Sequence, residues 1–335
     1  MVNTMSRFSF EGKKIFKMEI KIPRRLNGES FYNEILPKIY QTLLAKKFDI
    51  VFNMYDTELA NPEGLVNFLS ACALIRMKYK YIPELILPKS ENLLSYLDLC
   101  NFFSISQIPN SEVLRFQRIY LRDRKKKFYI PKIYLISSHT SLDAHQTNVS
   151  KIIYDLIKEK LGDANNLEER EIYEKLKNSF NQLIRNVVEH NFINNPLKAC
   201  GYYMAQKMPY DTIELVCSDI GKGFRNRILE MINENKDENI SKYKGYETLL
   251  RDNRYLFKKN DKNPNYLAIT TAVNYRENSL IPGIAYIKEF ALYKGGSLKI
   301  HSGNYTVLYN NEGINSSFHE SHFTGSHIKL EIPLN

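Results

Sequence analysis

A chain of 335 residues with 43% hydrophobic content, 47 Lys and Arg against 37 Asp and Glu and a formal charge of +10 is long enough to bury one large core or two ordinary ones. That composition excludes a wholly disordered polymer or a fibrous repeat. No window approaches the roughly eighteen uninterrupted apolar residues of a membrane span, and the opening MVNTMSRFSFEGKK lacks the apolar core of a secretory leader, so a cytoplasmic protein without a membrane anchor is expected. The four cysteines, Cys72, Cys100, Cys200 and Cys217, are scattered rather than paired as metal ligands would be, and read as reduced core thiols.

Taken in chain order, residues 15–22 (IFKMEIKI) alternate apolar and polar in the two-residue period of a half-buried strand. Residues 31–46 follow at near-helical spacing, with Pro37 implying a late start or a kink. FDIVFNM (48–54) reads as a strand, then a turn at Asn61, Pro62 and Gly64, a helix over 64–78, a strand at 84–88 and a helix at 91–103. Alternation of this kind predicts a sheet with helices packed on it, a small α/β domain over residues 1–106.

The order resembles the STAS fold of anti-anti-sigma factors. In that family a serine in the turn before the helix that follows the central strand is a phosphorylation switch. Here the turn reads Ala60-Asn61-Pro62-Glu63-Gly64, so the resemblance implies a docking element without the switch.

Residues 107–165 are expected to form a basic β segment, with strands at RFQRIYL and FYIPKIYLI, and a connecting helix at 147–161 stopped by Gly162. Arg115 to Lys132 carries eight cations against Asp123. Such a stripe can grip phosphates, but a solvated face is the blander account, and because the remaining positive excess is spread evenly along the chain a nucleic-acid partner is not favoured. His139 and His145, in SSHTSLDAHQ, read as ordinary surface or structural histidines.

From Leu167 the segment LEEREIYEKLKNSFNQLIRNVVEHNF places Leu176, Phe180, Leu183, Ile184, Val187 and Val188 on one helical face. Gln182, Asn186 and His190, four apart, form a polar stripe along its flank. A strand at 212–217 then runs into Asp219-Ile220-Gly221-Lys222-Gly223, a carboxylate followed by two glycines that let backbone approach a ligand. Further on, Gly283 opens an apolar helix ended by Gly295-Gly296, followed by the alternating strand SLKIHS and a final strand from Gly325. FHESHF, between them, is expected to be a loop whose histidines lack the spacing of a zinc site.

These four elements in this order resemble the GHKL ATPase superfamily, the nucleotide-binding domain shared by gyrase, MutL, histidine kinases and anti-sigma-factor kinases, over residues 166–335. The resemblance implies a Bergerat-type α/β sandwich with helices on one face of a mixed sheet, binding ATP and Mg2+. It assigns Asn186 to the asparagine that holds the magnesium ion, Asp219 to the adenine-recognising aspartate with Gly221 and Gly223 beside it, Gly283 to the helix start facing the phosphates, and Ser326 to the hydroxyl that supports the adenine contact. Residues 224–281 would form the lid over the nucleotide.

The family's general-base glutamate stands four residues before the asparagine, where this chain has Gln182, and an amide cannot take the proton. Glu189 is the alternative base. The implied function is an ATP- and Mg2+-dependent regulator whose lid ordering switches an interaction with a regulatory protein. A serine or histidine protein kinase and a scaffold without enzymatic activity stay open as alternatives, as does a homodimer.

Overall fold

The computed structural model describes residues 7–10, 13–45, 48–106, 131–137, 140–158, 167–192, 201–227, 264–274 and 283–334. The chain is mixed α/β and divides into two compact units, Met1–Leu135 and Ile136–Asn335.

In the first unit β1 (Arg7–Phe10) and β2 (Lys13–Lys21) form an antiparallel hairpin, and β2, β4 (Phe48–Asn53) and β6 (Glu84–Ile86) run parallel, giving the order β1-β2-β4-β6. A two-residue parallel ladder joins β3 (Arg25–Leu26) to β5 (Leu59–Ala60). The stretch around Pro37 is one helical run without a break: α1 (Gly28–Ser30), a π-helical segment at Phe31–Ile35, then α2 (Leu36–Ala45). A proline cannot donate to the helical ladder, and the wider π turn ends just before Pro37, which enters α2 at its second residue.

The expected turn at 61–64 is the start of α3 (Pro62–Tyr79). The Asn61 side chain accepts a hydrogen bond from the Gly64 N–H at 2.8 Å, and Pro62 occupies the first helical position, where a missing N–H costs nothing. Residues 62–73 of α3 are buried all round, and Phe68 meets Phe52 of β4 edge-on, with ring centroids 4.8 Å apart. α4 (Glu91–Leu99) and α5 (Phe102–Ser106) divide the single helix expected there, and Phe102 stacks on Phe68.

A five-stranded sheet has the order β10-β11-β9-β8-β7, with β7 at Ile133–Ile136, where the division between the units falls, and, in the second unit, β8 at Gly201–Met208, β9 at Thr212–Asp219, β10 at Ser297–Asn310 and β11 at Gly313–Pro333. β8, β9, β11 and β10 pair antiparallel. Tyr203 of β8 contacts both His145 of α6 (Leu142–Ile157) and Phe180 of α7 (Leu167–Phe192), so these helices lie on the same sheet face. α8 (Pro264–Asn274) and α9 (Ile284–Tyr293) pack on β10 and on each other.

Three expectations change. The helix expected at 147–161 begins at Leu142, because Ser141 caps it by accepting from the Ala144 N–H. FHESHF is not a loop but part of the 21-residue β11, where Phe318 and Phe323 pair with Tyr305 and Gly303 of β10 on either side of a register shift. Within the interval read as a lid, α8 is a core helix with Ala268, Ile269, Ala272 and Val273 fully buried. Most of the basic segment, together with His139, Gly162, Cys200 and the rest of that interval beyond residue 227, lies outside the described residues. Cys72, Cys100 and Cys217 are free, buried thiols as expected. Among the described residues no helix is long and apolar enough to cross a membrane.

Candidate functional site

A cleft of about 480 Å³, counting its open mouth, lies where α7, the end of β9, residues 223–227, the first turn of α9 and β11 converge. Asn186, Asp219, Gly223 and Ser326, read from three separated stretches of sequence, line it together. Leu183, Val187, Phe224, Ile284 and Ile328 supply apolar walls, and Lys222 and Arg227 supply positive charge.

Asn186 is brought to the cleft by the same helical face that buries Leu183 and Val187, three residues before it and one after, so the polar group sits at the margin of an apolar stripe. It is only 7% exposed. Its Oδ1 accepts a hydrogen bond from Gln182 Nε2 at 3.0 Å, while its Nδ2 has no hydrogen-bond partner among the described residues. Gln182 does not line the cleft but stands behind Asn186, against Gly283. A Cβ at Gly283 would overlap the Gln182 side chain, and the backbone there is left-handed, with φ +96°, so glycine is required on both counts. The start of α9 is therefore seated on the residue that orients Asn186.

Asp219 ends β9 directly opposite Ser326 of β11, which puts its carboxylate and the serine hydroxyl on neighbouring strands at the same level. Asp219 Oδ1 accepts from the Gly221 N–H at 2.7 Å, an Asx turn that folds the loop back on the strand end. Gly221 thus shapes the loop and does not itself line the cleft. Gly223 turns the chain with φ +72°, and a Cβ there would come within 2.7 Å of Ser302 Oγ. That serine accepts from the Phe224 N–H at 3.1 Å and pins the next helical turn to β10. Burial first, then the charge of Asp219, push the neighbouring Cys217 thiol well up, so no thiolate serves the site. Glu189 and His190 belong to α7, but their side chains lie outside the described residues.

Sequence reasoning passed over Lys222, Phe224, Arg227 and Ile284. Arg227 carried one signal: it lies four residues after Gly223, the spacing that shares a helical face, and residues 223–227 are helical.

On the other sheet face His301 and His327 pair across β10 and β11 and stack at 5.8 Å, and Thr306 Oγ1 bridges His301 Nδ1 and His319 Nε2 at 2.9 Å each. Burial, followed by the neighbouring imidazoles, pushes His301 well below the usual histidine range, and burial with Lys299 nearby brings His327 to about 3. These are neutral structural imidazoles. His145, buried against Tyr203 with its Nδ1 3.2 Å from the phenol oxygen, is likewise structural and shifted down by desolvation.

The chain matches no protein-family model, and no curated protein matches it.

Proposed function

We propose that the second unit binds an adenine nucleotide, ATP, in this cleft, and that its occupancy switches an interaction with a protein partner. The observation that carries the reading is the convergence in one concave space of Asn186, Asp219, Gly223, Ser326 and the helix start at Ile284. Each part suits a region of the ligand. The buried carboxylate beside a hydroxyl suits an exocyclic amine, the apolar walls suit a flat heterocycle, and Lys222, Arg227 and the N-terminus of α9 suit phosphates.

Support for switching comes from the seat of α9. A ligand held by Asn186 bears on Gln182, which packs against Gly283 at the start of that helix. α9 in turn carries the exposed Tyr286 and Tyr293, the kind of surface a partner reads. The chemistry demanded is binding rather than turnover, because the amide of Gln182 offers no proton acceptor of carboxylate strength.

Titration calorimetry of the full chain with ATP tests the reading, together with terminally labelled ATP. Retained intact ATP supports the switch. Free phosphate released at enzymatic rates, label on protein, or no heat of binding would each count against it.

A further inference from the structure

We infer that the cleft takes the phosphates of its nucleotide without a divalent cation, through the amide N–H of Asn186 together with Lys222 and Arg227. This rests on the nucleotide reading above and specifies how that site meets negative charge. Mg2+ demands near-octahedral oxygen ligands and is usually held by one or two carboxylates besides water and phosphate. Among the described residues the side-chain oxygens lining the cleft belong to Asp219, Asn186 and Ser326. Asp219 Oδ1 is engaged by the Gly221 N–H, and Asn186 Oδ1 by Gln182 Nε2. Among the described residues there is no group of three or more His, Cys, Asp or Glu side chains able to hold a metal ion. Among the described residues the set offers a single carboxylate, already bonded to its own loop, which is less than the ion usually takes.

The set does fit an anion. The Nδ2 of Asn186 is a buried donor with no partner among the described residues, and leaving such a group unpaired costs about 1–3 kcal/mol, which an acceptor on the ligand recovers. Residue 182 is the hydrogen-bond partner of Asn186 and bears on how its amide is turned. A carboxylate there could only accept, and would draw the Asn186 N–H towards itself and turn the oxygen outward, as a metal ligand must be. Here the amide of Gln182 donates, at 3.0 Å to Oδ1, which leaves the Nδ2 end of Asn186 for another acceptor.

The test is ATP affinity of the full chain measured in EDTA and in excess Mg2+. The expected result is binding in EDTA at least as tight as with the metal. Affinity about tenfold or more weaker in EDTA overturns the inference and leaves the nucleotide reading standing, whereas no binding in either buffer defeats the nucleotide reading itself. The variant Gln182→Glu is expected to invert the pattern, with binding in EDTA weakened about tenfold and restored by Mg2+. A second variant, Asn186→Asp, acceptor-only at the cleft, is expected to do the same. Variants whose secondary structure and melting match the parent, yet bind alike in both buffers, would refute the assigned role of the Gln182–Asn186 pair.

Discussion

At the scale of single residues, the cleft depends on polar groups whose geometry is set by one or two hydrogen bonds. Asp219→Asn retains an acceptor for the Gly221 N–H, so the loop should hold its shape. It removes the negative charge opposite Ser326. Hydrogen bonds to charged groups contribute about 1.5–3 kcal/mol, so ATP affinity should fall by roughly tenfold or more while the melting temperature barely moves, as calorimetry and a thermal melt would report. An unchanged affinity would remove Asp219 from the site.

The stacked histidines give a residue-scale prediction of a different kind. His327 is held to about 3 when folded and returns to the ordinary histidine range when unfolded, and His301 shifts in the same direction. Between those values the unfolded chain binds protons that the folded one does not, so stability rises with pH there and is lost as pH falls below about 6.5. Each such group contributes a slope of up to about 1.4 kcal/mol per pH unit. Urea unfolding midpoints measured at neutral pH and at about pH 5 should show the loss, and His327→Phe should flatten it; parallel curves for the two proteins would contradict the assignment.

At the scale of elements, two helix starts are decided by local chemistry. α3 begins where Asn61 accepts from Gly64 and Pro62 supplies a preset backbone angle, so Asn61→Ala should cost about 1 kcal/mol, readable as a lower denaturation midpoint at unchanged slope. α9 begins at a left-handed glycine seated on Gln182. Gly283→Ala adds a Cβ to a conformation that disfavours it by about 1–2 kcal/mol and drives that carbon into the Gln182 side chain. Both stability and ATP affinity should therefore fall. A loss of stability with affinity intact would separate the start of α9 from the ligand site.

At the scale of the whole molecule, two compact units of different construction lie on one chain, one built on parallel β strands with a fully buried helix, the other on an antiparallel ladder with four described helices. Ligand binding to the second should appear as linked stability. ATP at about a hundred times its dissociation constant should raise the unfolding free energy by about 2.7 kcal/mol. Amide exchange should slow in α7, at the end of β9 and over residues 223–227; uniform exchange with and without ATP would argue against the cleft as the site.

Much of this was legible in one dimension. The 3.6-residue stripe of α7 announced both its core residues and the polar flank of Gln182 and Asn186, because a helix converts spacing directly into a face. The alternation of β2, the start of β10 and the end of β11 did the same for strands. Spacing could not say that FHESHF continues a strand, since the pairing that makes it one comes from β10, nor that part of the supposed lid is the buried helix α8, whose apolar face has meaning only against that strand. Nor could it distinguish the histidines on β10 and β11 from surface groups, because their burial is made by residues far along the chain. The sequence determined which residues could carry a polar site and on which elements they lie. Only tertiary structure decided that Asn186, Asp219 and Ser326 share one cleft and that Lys222 and Arg227 join them, because convergence is a property of chain segments brought together across distances that no local period encodes.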